Sequence, residues 1–151
     1  MKVKCIYNLG SDLRVYENKP LRPEQFGRFG ASFYTDYQYL NIGKEYIVMG
    51  IITFETYQSY VIDNGEEVLC CPCQLFEVIE NKIMPNWKFR LVDKNESIYP
   101  FVQSILGYPE LCLDKNSYEQ LIVENESSFK QIYFTRKKEL ENELGITKET
   151  T

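Results

Sequence analysis

Histidine is absent from the 151 residues. Its absence removes the usual general base at neutral pH, the usual activator of a serine or cysteine nucleophile, and the commonest metal ligand. A basic excess is lacking as well: 17 Lys and Arg stand against 22 Asp and Glu, for a net charge of −5. Phosphate-backbone binding needs clustered cations to displace counterions, so nucleic acid is not an expected partner. No apolar run approaches the roughly 18 residues of a membrane span. The opening Met1-Lys2-Val3-Lys4-Cys5 lacks the apolar stretch and small-residue cleavage site of a secretory signal, so no membrane partner is expected and the expected location is cytoplasmic. The glycine-rich loops that cradle phosphates and the nucleophile elbow of hydrolases are also missing. No cofactor, metal or catalytic residue is therefore expected.

What is present is aromatic. Twelve Tyr, nine Phe and one Trp make 15% of the chain, a content that favours strands and a thick core. Five cysteines, an odd number with Cys70, Cys71 and Cys73 crowded together, fit a reducing compartment. The length suits one domain that folds without disulfides or metals. Within it, a strand-rich part over 1–92 precedes a mainly helical part over 93–145 and a frayed tail over 146–151. The first part carries a net −1 and residues 93–151 a net −4, so attraction for a basic partner centres on the last third.

Lys2 to Tyr7 alternates polar and apolar residues, as a half-buried strand does. Breakers crowd Asn8 to Gly30, which reads as a long loop with one short strand near Leu13 to Tyr16. Ala31 to Asn41 reads as extended. The six aromatics from Phe26 to Tyr39 read as core lining and surface tyrosine, because a base-stacking platform interleaves its rings with cations and only Arg28 is near. Glu45 to Phe54 is apolar on both faces, as in a strand that is central or inside a closed sheet. Asp63-Asn64-Gly65 predicts a hairpin turn between strands 56–62 and 66–71. Pro72 stops the ladder before a strand over Phe76 to Glu80, and Trp87 to Val92 is the next strand. Residues 95–106 have helical spacing interrupted by Pro100, so helix and strand both stay open. Asn116-Ser117-Tyr118-Glu119 predicts a helix start, and a second helix over 126–144 stripes Phe129, Ile132, Tyr133, Arg136, Leu140 and Leu144 on one side before Gly145. The fold class is α+β: a small bent antiparallel sheet or SH3-like β-barrel with C-terminal helices packed on it.

Two features could carry chemistry. Cys70 and Cys73 have the spacing of a redox pair or half a zinc site, but they fall at a strand end, not at the helix N-terminus that would activate a thiol. Buried structural thiols are the plainer reading. The second is acidic: Glu124, Glu126, Glu139, Glu141 and Glu143 are candidate partner-binding residues for a basic protein. Pairs such as Lys137 with Glu141 also suit an ordinary solvated helix.

Gly43-Lys44-x-Tyr46-x-Val48, Pro72-x-x-Leu75-Phe76-Glu77-Val78, Trp87 and Leu106-Gly107-Tyr108-Pro109-Glu110-Leu111 together resemble a set of small uncharacterised bacterial proteins. Some of these are similar to immunity proteins of toxin systems, and that resemblance implies a small acidic inhibitor without catalytic residues. The function expected is a non-catalytic protein-binding module of this immunity-like kind. The alternatives are a small enzyme using carboxylates or the Cys70 and Cys73 thiols, and a structural or accessory protein. A monomer or weak homodimer is expected.

Overall fold

The computed structural model describes residues 1–145, so the expected tail over 146–151 lies outside the described residues. Among the described residues, eight strands form two antiparallel sheets. β1 (Lys2–Cys5) lies between β2 (Glu45–Ile47) and β6 (Phe76–Glu80). The larger sheet runs β5 (Val68–Pro72), β4 (Gln58–Asp63), β3 (Gly50–Phe54), β8 (Val102–Gly107), β7 (Lys88–Leu91). Two α-helices follow, α1 (Pro109–Leu113) and α2 (Ser127–Glu143), with a π-helical turn over Tyr118–Val123 between them. The class is α+β with a bent sheet, and among the described residues the strands do not close into a barrel.

The bend is made at Val48-Met49. Val48 N–H donates to Met1 O at 3.0 Å while Met49 N–H donates to Val61 O at 2.8 Å, so the chain leaves one sheet and enters the other there. The single strand expected over 45–54 is thus two. Tyr46 and Val48 enter a core with Val3, Cys5, Cys71, Leu75 and Phe76, whereas Met49, Ile52 and Phe54 enter a second core under the helices. An apolar pattern on both faces suits a strand that serves two cores in succession as well as it suits a central one.

The Asp63-Asn64-Gly65 hairpin forms as expected, with Gly65 at φ +102 and the Asn64 carboxamide accepting from the N–H groups of Glu66 and Glu67. Pro72 ends β5, and a single 3-10 turn over Cys73–Leu75 redirects the chain into β6.

The loop over 8–44 departs from expectation. No strand forms at Leu13 to Tyr16; Gly10–Tyr16 is a 3-10 helix, and Ala31 to Asn41 is mostly turns with one isolated bridge, Leu9 to Asp36. The reason is anchoring. Leu13, Phe29, Ala31, Tyr37 and Leu40 all enter the first core, each large side chain contributing about 2 kcal/mol by leaving water. Arg14 donates to Gln25 O at 2.6 Å and Glu17 accepts from Arg28 N–H at 3.1 Å, which ties the loop to itself. Of the six aromatics between Phe26 and Tyr39, Phe29 and Tyr37 are core and the other four are exposed.

Residues 95–106 resolve into a turn segment and β8, with a cis bond at Tyr99-Pro100. The helix start expected at Asn116 to Glu119 is a π-helical turn without a side-chain cap; Ser117 Oγ instead donates inward to Leu111 O at 2.5 Å.

Candidate functional site

The helical layer rests on the face of the larger sheet that carries Ile52, Val61 and Ile105, against Leu111, Cys112, Leu121, Tyr133 and Leu140. α1 can approach closely because Gly50 and Gly107 are paired across β3 and β8 directly beneath it. A Cβ on Gly50 would lie 2.5 Å from Leu111 Cδ2, and one on Gly107 would lie 2.8 Å from the same atom. Three hydrogen bonds then hold α1 and its flank in place: Cys112 Sγ to Ile105 O at 3.3 Å, Arg90 Nε to Cys112 O at 2.6 Å, and the Ser117 bond to Leu111.

With α1 sunk into the sheet and α2 standing beside it, a groove of about 450 Å³ opens between them. Its walls are apolar: Leu111, Leu121 and Phe129 at depth, with Leu113 (58% exposed) and Ile132 (37% exposed) at the mouth. Glu110 and Asp114 stand at its edge. A second hollow of about 390 Å³ adjoins it, sharing Glu110 and Ile132 and extending past Thr135 to Glu139. Arg136 clamps Glu110 with Nη2 at 2.6 Å and Nε at 2.9 Å, and reaches Glu139 at 3.1 Å. Those hydrogen bonds from Arg136 hold the Glu110 carboxyl below the usual carboxylate range. Asp114 lines the groove and Glu139 the adjoining hollow, so with Glu110, which lines both, the two carry three carboxylates against the one guanidinium of Arg136 and are net negative.

The five candidate carboxylates do not share one face. Glu139 edges the adjoining hollow, and with Glu143, one turn later on the same side of α2, it also lines a separate small pocket beside Met84 and Trp87. Glu141 points to the opposite side, 3.9 Å from Lys137. Glu126 caps α2, accepting from the N–H groups of Ser128 and Phe129; the hydrogen bond from the Ser128 side chain and those backbone bonds hold its carboxyl low. Glu124 is exposed beside a separate hollow of about 360 Å³ lined by Phe101, Tyr118, Glu119 and Val123. Of the residues lining the groove, the sequence marks Glu110 and Asp114 only as carboxylates available for acid/base chemistry and Ile132 only as part of the apolar stripe of α2, and it does not single out Leu113. Pro109 at the first helical position with Glu110 after it was the available signal.

The thiol alternative gains no support from local chemistry. All five thiols are free. Burial pushes Cys70 up to about 12 and Cys73 to about 11, and raises Cys71 further still. Thiols held protonated are poor nucleophiles. Among the described residues no three His, Cys, Asp or Glu side chains gather as a metal site requires, and no helix is long and apolar enough to cross a membrane.

Compared with protein-family models, with curated proteins and with solved structures, the chain matches none.

Proposed function

We propose that this chain is a non-catalytic protein-binding module, of the immunity-like kind, that grips a basic partner through the groove between α1 and α2. One observation carries the reading: an open apolar groove whose edge is carboxylate. Such a surface suits a segment that inserts an apolar side chain between Leu113 and Ile132 while its Lys or Arg neighbours meet Asp114, Glu110 and Glu139. The apolar anchor supplies affinity, and the charges supply encounter rate and selection among partners. The −4 charge after residue 92 extends the same attraction beyond contact distance.

The test is affinity capture from the native cytoplasm at low salt, repeated with Leu113→Gln plus Ile132→Gln and separately with Asp114→Lys. The expected result is one basic partner whose retention falls about tenfold or more in the apolar double variant. Asp114→Lys is expected to act mainly on the association rate and on its salt dependence. Retention of the same partner by all variants, or no protein partner at low salt, overturns the proposal.

A further inference from the structure

The described residues give the two sheets four edges, and three of them are protected from pairing with another chain. β5 is closed by a side chain: the Asn125 carboxamide accepts from Val68 N–H at 2.8 Å and donates to Val68 O at 3.2 Å, as a neighbouring strand would. β2 has only three residues. β6 sets Glu77 and Glu80 around its exposed Val78 and Ile79, so pairing between two copies would bring carboxylates together.

β7 is neither closed by a side chain nor cut to three residues, and its charged residues, Lys88 and Arg90, alternate with Phe89 and Leu91 and so stand on the other face from them. Val92 N–H donates to Gln103 O at 2.9 Å, and Arg90 is in register with Ile105 and Lys88 with Gly107. In an antiparallel ladder these alternate residues turn their main-chain groups toward β8, so those of Phe89 and Leu91 turn outward. Phe89 and Leu91 are also 61% and 72% exposed. Their side chains share the face opposite the helices, since Arg90, between them, reaches under α1 to Cys112 O. The charge of Arg90 is met within the chain by both oxygens of Glu96, at 2.6 and 2.7 Å.

We propose that β7 is a self-association edge, and that its partner is β7 of a second copy of this chain, antiparallel about a two-fold axis at Arg90. In this register each Phe89 lies opposite the second copy's Leu91, which makes two equivalent apolar cross-strand pairs. The outward N–H and C=O groups of both strands form four hydrogen bonds. Each Phe89 ring then lies between Leu106 of its own chain and Leu91 of the other. The strand is short, so the buried area falls below the roughly 800 Å² per partner of a standard stable interface, and the dimer is weak and concentration-dependent. The two-fold stands perpendicular to the joined ten-stranded sheet, so both helical faces lie on one side and two α1–α2 grooves are presented together. That arrangement is bivalent, although the pairing itself stands independently of what the groove binds.

Sedimentation equilibrium from about 10 μM to about 1 mM, a range set by the affinity of such small interfaces, reads the association. The apparent mass of the wild type is expected to rise toward the dimer. Leu91→Pro removes an outward N–H while sparing the bonds to β8, and is expected to stay monomeric throughout. Phe89→Lys, at a position already open to solvent, carries the same expectation and serves if the proline variant fails to fold. Hydrogen exchange at Phe89 and Leu91 is expected to slow with concentration while Lys88 and Arg90 stay unchanged. A wild type that is monomeric at the highest concentration overturns the proposal. So does a dimer that survives both β7 variants, or one that Val78→Lys abolishes while Phe89→Lys does not.

Discussion

At the scale of single residues, Asp63 gathers three donors from three parts of the chain. Its side chain is 4% exposed at the end of β4, where it accepts from Tyr133 Oη at 2.9 Å, Lys137 Nζ at 2.8 Å and Gly65 N–H at 2.9 Å. One carboxylate thereby fixes the hairpin turn and fastens α2 to it. Tyr133 is fully buried, and burial together with the neighbouring Asp63 charge pushes its hydroxyl far up, so it serves as a permanent donor. Asp63→Ala would leave that hydroxyl without its acceptor and Lys137 with only Glu141, at 3.9 Å. The expected loss is about 3–5 kcal/mol, against about 1.5–3 kcal/mol for Tyr133→Phe, which removes one hydrogen bond to a charged group. Urea unfolding of the two variants measures the order; an Asp63→Ala cost below that of Tyr133→Phe would refute this account of the cluster.

At the scale of elements, Asn125 joins the π-helical turn to α2 while closing the β5 edge. Among the described residues it is the non-glycine residue with positive φ, at +49, a conformation that asparagine tolerates and alanine resists by about 1–2 kcal/mol. Asn125→Ala is expected to lose both bonds to Val68 and acquire that strain, for about 3 kcal/mol in all, whereas Asn125→Gly loses only the bonds and costs about 1 kcal/mol less. Equal destabilisation of the two in urea would mean that the backbone conformation contributes nothing. Elements set by local chemistry were legible in the sequence: the β4–β5 hairpin from Asp63-Asn64-Gly65, and α2 from its stripe and Gly145 at φ +68. Elements set by distant contacts were not. The 3-10 helix at Gly10–Tyr16 depends on Leu13 reaching the core and on Arg14 gripping Gln25 O. The five residues of α1 are too few for periodicity to register, and β8 was obscured by Pro100 among residues of helical spacing. The groove was hidden for the same reason, since it exists because Gly50 and Gly107, 57 positions apart in the chain, together admit Leu111.

At the scale of the whole molecule, the acidic composition and the two carboxylate clamps make stability depend on pH in a stated direction. Burial pushes the Glu96 carboxyl up, but hydrogen bonds from Asp93 N–H and from the Arg90 guanidinium outweigh it and hold the carboxyl below its ordinary value. Arg136 does the same for Glu110. For a group lowered on folding, the folded state binds fewer protons than the unfolded chain near pH 4, so stability rises with pH there. The contribution is fully present above the unfolded glutamate value of about 4.3 and is lost as pH falls through the lower folded value. Glu96 is the better probe, because its side chain is only 10% exposed and that of Arg90 only 14%, whereas Glu110 is 39% exposed and more screened. Glu96→Gln leaves a nearly buried guanidinium facing an amide, which costs on the order of 3 kcal/mol at pH 7. The same substitution removes a titrating group, so the variant should lose less stability than the wild type between about pH 5 and pH 3, and the two curves should converge toward the acid end. Guanidinium unfolding at a series of pH values measures both curves. Parallel acid limbs would mean that the Arg90–Glu96 clamp does not govern the acid sensitivity of β7 and the turn after it, nor of α1, which the same Arg90 holds through Cys112 O at the floor of the groove.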